Sequence, residues 1–172
     1  WDSTWRLQGS VVSITAATES KDGGAGIKVD KTNWRDAFVK LTLDANTKYD
    51  LSFNYKGASK LYAIKVFAVN DIDSAKLAAG PERVELAAKT GVNPVLSETV
   101  SGTFDNTIWN KFSVSFETNA NTEYYIVFYN TEGSGFVASD FNLVAEEKEP
   151  EIPVPTNPNE EIVKPENWDS TW

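Results

Sequence analysis

Between residues 9 and 145, apolar side chains recur at every second position in short runs. The clearest are Ala37, Val39, Leu41 and Leu43; Tyr49, Leu51, Phe53 and Tyr55; Phe112, Val114 and Phe116; and Tyr124, Ile126 and Phe128. A period of two sends alternate side chains to opposite faces of an extended strand, whereas a helix needs a period near 3.6. The chain is therefore expected to be all-β, with strands over 9–16, 25–30, 34–43, 48–56, 60–69, 95–103, 109–117, 122–130 and 135–145, about nine in all. Asp44-Ala45-Asn46-Thr47, Asn119-Ala120-Asn121-Thr122, Gly23-Gly24 and Gly133-Ser134-Gly135 supply turn formers between runs. Short strands at this spacing predict an antiparallel β-sandwich. Residues 70–94 read as an excursion between two core strands. Within them, Pro81 and Gly91 bracket either one short helix or an edge strand carrying Val84 and Leu86.

The pattern stops near Ala145. Residues 146–167 hold five of the seven prolines and seven glutamates, a composition that reads as a semi-rigid, solvated Pro/Glu-rich linker. After it, Trp168-Asp169-Ser170-Thr171-Trp172 repeats Trp1-Asp2-Ser3-Thr4-Trp5 without a change. The expected organisation is a sandwich module over 1–145, a linker over 146–167, and the start of a following tandem module at 168–172.

Composition removes much of enzyme chemistry. The 172 residues include no Cys, no His and no Met, so disulfides, thiolate or imidazole metal ligands, and nucleophiles that need a His or Cys partner are excluded. The net charge of −9 is concentrated after residue 145, and no basic patch is present to displace counterions from phosphates. Nucleic acid is therefore a poor partner, and no apolar run is long enough for membrane insertion as a helix. A neutral ligand fits better.

Strand parity separates an inner from an outer set. If Val39, Leu41 and Leu43 face the core, Trp34, Asp36, Phe38 and Lys40 face away. If Tyr124, Ile126 and Phe128 are inner, Tyr125, Val127 and Tyr129 coat the other face, and Lys65 and Phe67 join them from the 60–69 run. In 48–56, Asn54 is expected to face water. An outward aromatic surface of this kind marks a contact site. Sugar rings stack their C–H faces on flat aromatics and bind polar groups through their hydroxyls. Trp34, Phe38, Tyr125 and Tyr129 are candidate platforms, with Asp36, Lys65 and Asn70 as hydrogen-bonding groups. Against this stands the reading in which some of these rings fill a second small core beneath a loop. Trp5 and Trp109 read as plugs at the sandwich ends.

No carboxylate pair stands in a motif that sets a catalytic spacing, so the chain is read as non-enzymatic. Asp71 and Asp73 read as a solvated loop rather than a calcium loop. Asp140, at the last strand, is a candidate oxygen donor for a structural calcium; no other cofactor is required.

The succession Trp34 to Leu43, Thr47 to Phe53, Trp109 to Phe116 and Ser139-Asp140-Phe141-Asn142-Leu143 resembles the carbohydrate-binding modules of the family 4, 9, 16 and 22 type. The resemblance spans roughly residues 5–145. It implies a jelly-roll sandwich that binds β-glucans or xylans in a cleft on one sheet, at a bacterial surface or appended to an extracellular polysaccharide-degrading enzyme. It also implies that Trp34, Lys65, Tyr125 and Tyr129 fall at cleft positions. Two departures stand out: the family's opening ending in Phe-Glu is absent, and Ser139 replaces the first acid of the closing Asp-Asp pair. The expected function is binding of a β-glucan polysaccharide such as laminarin, as one of several tandem modules whose weak sites add through effective concentration. The alternative is a structural or adhesive spacer domain without glycan binding, and a hydrolase domain ranks last.

Overall fold

A computed structural model describes residues 6–7, 12–15, 20–23, 26–29, 36–57, 61–78, 84–100, 105–132 and 136–147. They form ten strands in two five-stranded sheets. Sheet A runs in the order β1 (Arg6–Leu7), β4 (Asp36–Thr42), β9 (Glu123–Glu132), β6 (Leu61–Ala68) and β7 (Leu96–Val100). Sheet B runs β2 (Val12–Thr15), β3 (Gly26–Val29), β10 (Phe136–Ala145), β5 (Lys48–Gly57) and β8 (Asn110–Glu117). All ladders are antiparallel. Strands β3 to β6, and again β7 to β10, alternate between the sheets, which is jelly-roll winding. Each expected run holds a strand. The count is ten rather than nine because β1, two residues long, is too short to show any alternation.

The inner faces pack as the parity reading requires. Val39, Leu43, Tyr49, Leu51, Phe53, Tyr55, Ile64, Val66, Ala68, Phe116, Tyr124, Ile126 and Phe128 are buried in one core between the sheets. Phe53 stands at its centre, with ring centroids 4.9 Å from Phe128, 5.0 Å from Phe112 and 5.1 Å from Phe141. Because Phe128 belongs to sheet A and the others to sheet B, these rings fasten the two layers together.

Two related turns close one end. In each, the backbone N–H of the first residue donates to the hydroxyl of a tyrosine five residues on: Asp44 to Tyr49 and Asn119 to Tyr124, both at 2.9 Å. The turns also join each other, through Asn46 N–H to the Asn119 carbonyl at 2.9 Å and Thr118 N–H to the Thr47 carbonyl at 2.9 Å. Asn46 takes a left-handed φ of 49°, a conformation Asn tolerates better than most residues. Backbone donors that burial would leave unpaired are thus satisfied.

The excursion between β6 and β7 is where the fold departs most from expectation. It opens with a 3-10 turn, Val69–Asp71, continues through α1 (Ser74–Ala78), and returns through a 3-10 turn, Val84–Ala87. Of the stretch 80–91, read as a short helix or an edge strand, Val84–Ala87 is a 3-10 turn; residues 79–83 lie outside the described set. Asp73 is not merely solvated: its Oδ1 accepts from the N–H groups of Ala75 at 3.0 Å and Lys76 at 3.1 Å, starting α1. The ends of the excursion meet through an Ile72–Ala88 bridge, with Asp73 N–H on the Ala87 carbonyl at 2.7 Å and Lys89 N–H on the Asp71 carbonyl at 2.8 Å.

Candidate functional site

The register of sheet A aligns several of the residues singled out by parity in rows across its strands. Along its register, Lys40, Tyr125 and Phe67 form one row, and Phe38, Val127, Lys65 and Ser97 form the next. Asp36, Tyr129, Ala63 and Thr99 form a third row. Phe38 and Tyr125 come together edge to face, with centroids 5.5 Å apart at 90°. Phe38 and Tyr125 thus share the face opposite the main core.

That face is not open throughout. Phe67 and Val127 are 2% and 1% exposed, packed with Ile72, Val84 and Ala87 of the excursion, while Phe38, Leu77, Ala88 and Tyr125 border them half-buried. The expectation that Phe67 faces water is therefore corrected. Parity assigns a side of the sheet, but it carries no information about what a later segment lays over that side. The excursion lies over Phe67 of β6 and Val127 of β9 and borders Phe38 and Tyr125, a lid on the middle of the first two rows that leaves Lys40 and Ser97 exposed.

Lys65 is pinned by this lid. Its ammonium pairs with the Glu85 carboxylate of the Val84–Ala87 turn, with side chains 16% and 34% exposed. Sequence reasoning missed Glu85, since nothing local ties an acid in a loop to a lysine twenty residues earlier. In the row beyond, Ala63 is half-buried and Thr99 exposed, and next to Lys65 Ser97 is exposed. Asp36 and Tyr129 are opposite one another in the β4–β9 ladder; Trp34 lies outside the described residues. Asn70 belongs elsewhere. It is exposed beyond Ala68, where its Nδ2 donates to Asn121 Oδ1 at 2.9 Å and its carbonyl accepts from Lys89 Nζ at 2.6 Å. Asn70 is thus at the opposite end of sheet A from Asp36 and Tyr129, about 20 Å along the strand direction.

A second polar cluster surrounds Asp140 on sheet B. A bulge between Ser139 and Asn142 places Asp140 at a φ of 55°. Its Oδ2 accepts from Ser139 Oγ at 2.7 Å and Asn54 Nδ2 at 3.0 Å. The same Asn54 nitrogen donates to Asp22 Oδ2 at 3.0 Å. Asn54 is 6% exposed rather than turned to water, because residues 20–23 cover it, and its Oδ1 is buried without a hydrogen-bond partner. Among the described residues no three acids converge as a metal cluster. The two carboxylates converge on the Asn54 amide nitrogen rather than on its orphaned oxygen, so a hard cation, which takes oxygen ligands, would need that amide turned over. Asp22, Asn54 and Asp140 are the residues that would hold calcium, and the ion would supply a cross-link between residues 20–23, β5 and β10.

No protein-family model matches the chain, and no curated protein matches it in sequence. Solved structures do match in fold. The chain is similar to the family 22 xylan-binding domain of Xyn10C from Paenibacillus barcinonensis at 14% identity and a TM-score of 0.56, covering 84% of this chain and 87% of that one. It is similar to TmCBM61, solved with β-1,4-galactotriose, at 18% identity and a TM-score of 0.55, over 84% and 90%. It is also similar to a Stig cyclase from Fischerella sp. TAU at 14% identity and a TM-score of 0.55, over 86% and 87%. The fold is thus the jelly roll of carbohydrate-binding modules. It is also shared with an enzyme, so the chemistry has to be argued from the site.

Proposed function

We propose that the chain is a non-catalytic module that binds a β-linked polysaccharide, with a β-glucan of the laminarin type as the first candidate. The observation that carries this reading is the lidded aromatic face of sheet A. Phe38 and Tyr125 stand at the lid's edge, and the lid's own Glu85 holds Lys65 in place next to the row of Asp36, Tyr129, Ala63 and Thr99. A sugar chain crossing the strands beside the lid would meet the half-buried rings of Phe38 and Tyr125 with its C–H faces and the held Lys65 ammonium with its hydroxyls. The xylan-binding and galactotriose-bound neighbours support a glycan partner. The absence of His and Cys from the sequence supports a role without turnover. Several such modules on one extracellular bacterial chain would add their affinities through effective concentration.

One observation favours the alternative of a structural or adhesive spacer. The Phe67–Val127–Ile72–Val84–Ala87 cluster already gives part of the aromatic pattern a packing role within the chain. Titration of soluble polysaccharides by affinity electrophoresis separates the two readings. A binding module is retarded by at least one β-linked glycan and loses that retardation in Trp34→Ala or Tyr129→Ala, whereas a spacer migrates unchanged in every gel.

A further inference from the structure

Residues 111–117 read Lys-Phe-Ser-Val-Ser-Phe-Glu, with the same order of rings and hydroxyls in either direction from Val114, a base at one end and an acid at the other. They make up most of β8, the strand that ends sheet B beyond β5. The β5–β8 register runs unbroken from Asn110 to Glu117, without the bulge or proline that commonly guards an edge. Residues 105–109 and 118–122, which lead into and out of β8, are described, and no described residue pairs with its other side.

Alternation along the ladder fixes which main-chain groups face that side. One place beyond it, Thr118 N–H donates to the opposed Thr47 carbonyl at 2.9 Å, so Phe112, Val114 and Phe116 turn their N–H and C=O toward β5. Those of Lys111, Ser113, Ser115 and Glu117 point outward. A second strand can meet them only in a register that opposes odd residues to odd residues. Antiparallel self-pairing about Val114 is such a register. It sets Lys111 opposite the second copy's Glu117, Phe112 opposite its Phe116 and Ser113 opposite its Ser115. Directly opposed side chains project to the same face. On the water side Lys111 and Glu117, both exposed, form two complementary ion pairs across the seam. On the core side Phe112 and Val114, half-buried at the rim of the main core, gain cover. Parallel pairing would instead set lysine beside lysine.

We propose that the outer edge of β8 is a homodimer seam. A second copy of this chain adds its own β8 about a two-fold axis at Val114, and the two five-stranded B sheets become continuous. Main-chain hydrogen bonds supply the affinity and the end charges the register. An interface one strand wide is small, so the dimer is weak and depends on concentration.

The full chain is expected to sediment toward twice its 19.0 kDa as its concentration rises to about 0.1 mM. Lys111→Glu and Glu117→Lys each set like charges opposite one another and are expected to weaken the dimer about tenfold or more. Both positions are exposed, so the circular dichroism of each folded variant is expected to match the parent's. Mixed in equal amounts, the two variants restore both ion pairs, and the dimer is expected to return. A parent chain that stays monomeric, a dimer that survives either change, or a mixture that does not re-associate would overturn the seam. The register is read by single cysteines, since the chain has none of its own. Val114→Cys meets its copy on the axis at about 4.5 Å between Cα atoms, within disulfide reach. Ser113→Cys stands about 8 Å from its copy, beyond that reach. Under mild oxidation the first is expected to give a linked dimer about tenfold faster or more, and equal rates would overturn the pairing about Val114.

Discussion

The Lys65 ammonium on β6 is paired with the Glu85 carboxylate from the excursion that lids the same face. A cation on a sheet face is normally free to meet solvent or ligand; here its position depends on a segment far from it in sequence. The pair joins two sequence-distant decisions, the outward parity of β6 and the return path of the excursion.

That coupling is measurable. Glu85→Gln and Lys65→Gln are each expected to lower stability by about 1 kcal/mol, since the pair is partly shielded but not fully buried. The double variant should lose less than the two losses added, as seen by urea denaturation in a double-mutant cycle. Strict additivity would show that the two groups do not interact.

Phe53→Ala removes the ring that touches Phe112, Phe128 and Phe141. With Phe53 only 2% exposed, a loss of about 3–5 kcal/mol is expected from transfer and cavity terms together. Equilibrium denaturation checks it, and a loss under about 1 kcal/mol would mean that the inter-sheet packing is not as described.

Asp105 gives a pH prediction. Hydrogen bonds from Thr107 Oγ1 at 2.6 Å and Thr107 N–H at 2.7 Å hold its carboxyl below the ordinary value of 3.8. The folded state therefore binds this proton less readily than the unfolded state. The stabilisation is fully present above pH 3.8 and is lost as pH falls through the depressed folded value. Titration followed by NMR should place the Asp105 midpoint below 3.8 and move it upward in Thr107→Val.

Calcium is the next test. If Asp22, Asn54 and Asp140 hold the ion, millimolar calcium should raise Tm in the parent chain and leave Asp140→Asn unmoved, with magnesium weaker because it demands a stricter octahedron. An unchanged Tm in the parent chain would assign the cluster to hydrogen bonding alone.

Sequence reading went furthest where alternation is strong. The inner rows of β4, β5, β6, β8 and β9 were all legible, because a half-buried strand writes its burial into every second residue. The lid was not. Its burial of Phe67 depends on Val84 and Ala87, which follow an irregular path with no period to read. Asn54 was equally hidden: on a strand it is indistinguishable from Ser52 or Lys56, and only residues 20–23 folding across it make it a buried amide. The start of α1 carried a usable sign in Asp73 ahead of Ser-Ala-Lys-Leu-Ala, an N-cap followed by helix formers. The jelly-roll class followed from resemblance, and the neighbours in fold agree with it.

The glycan reading turns on calorimetric titration of the chain and its Tyr129→Ala variant with laminarin, a mixed-linkage β-glucan and xylan. Saturable binding to at least one of them, weakened tenfold or more in the variant, is expected, since a lost aromatic–sugar contact of about 1.4 kcal/mol is a factor of ten. No heat with any of the three, or binding that Tyr129→Ala leaves unchanged, would contradict the claim that this face of sheet A is a polysaccharide site.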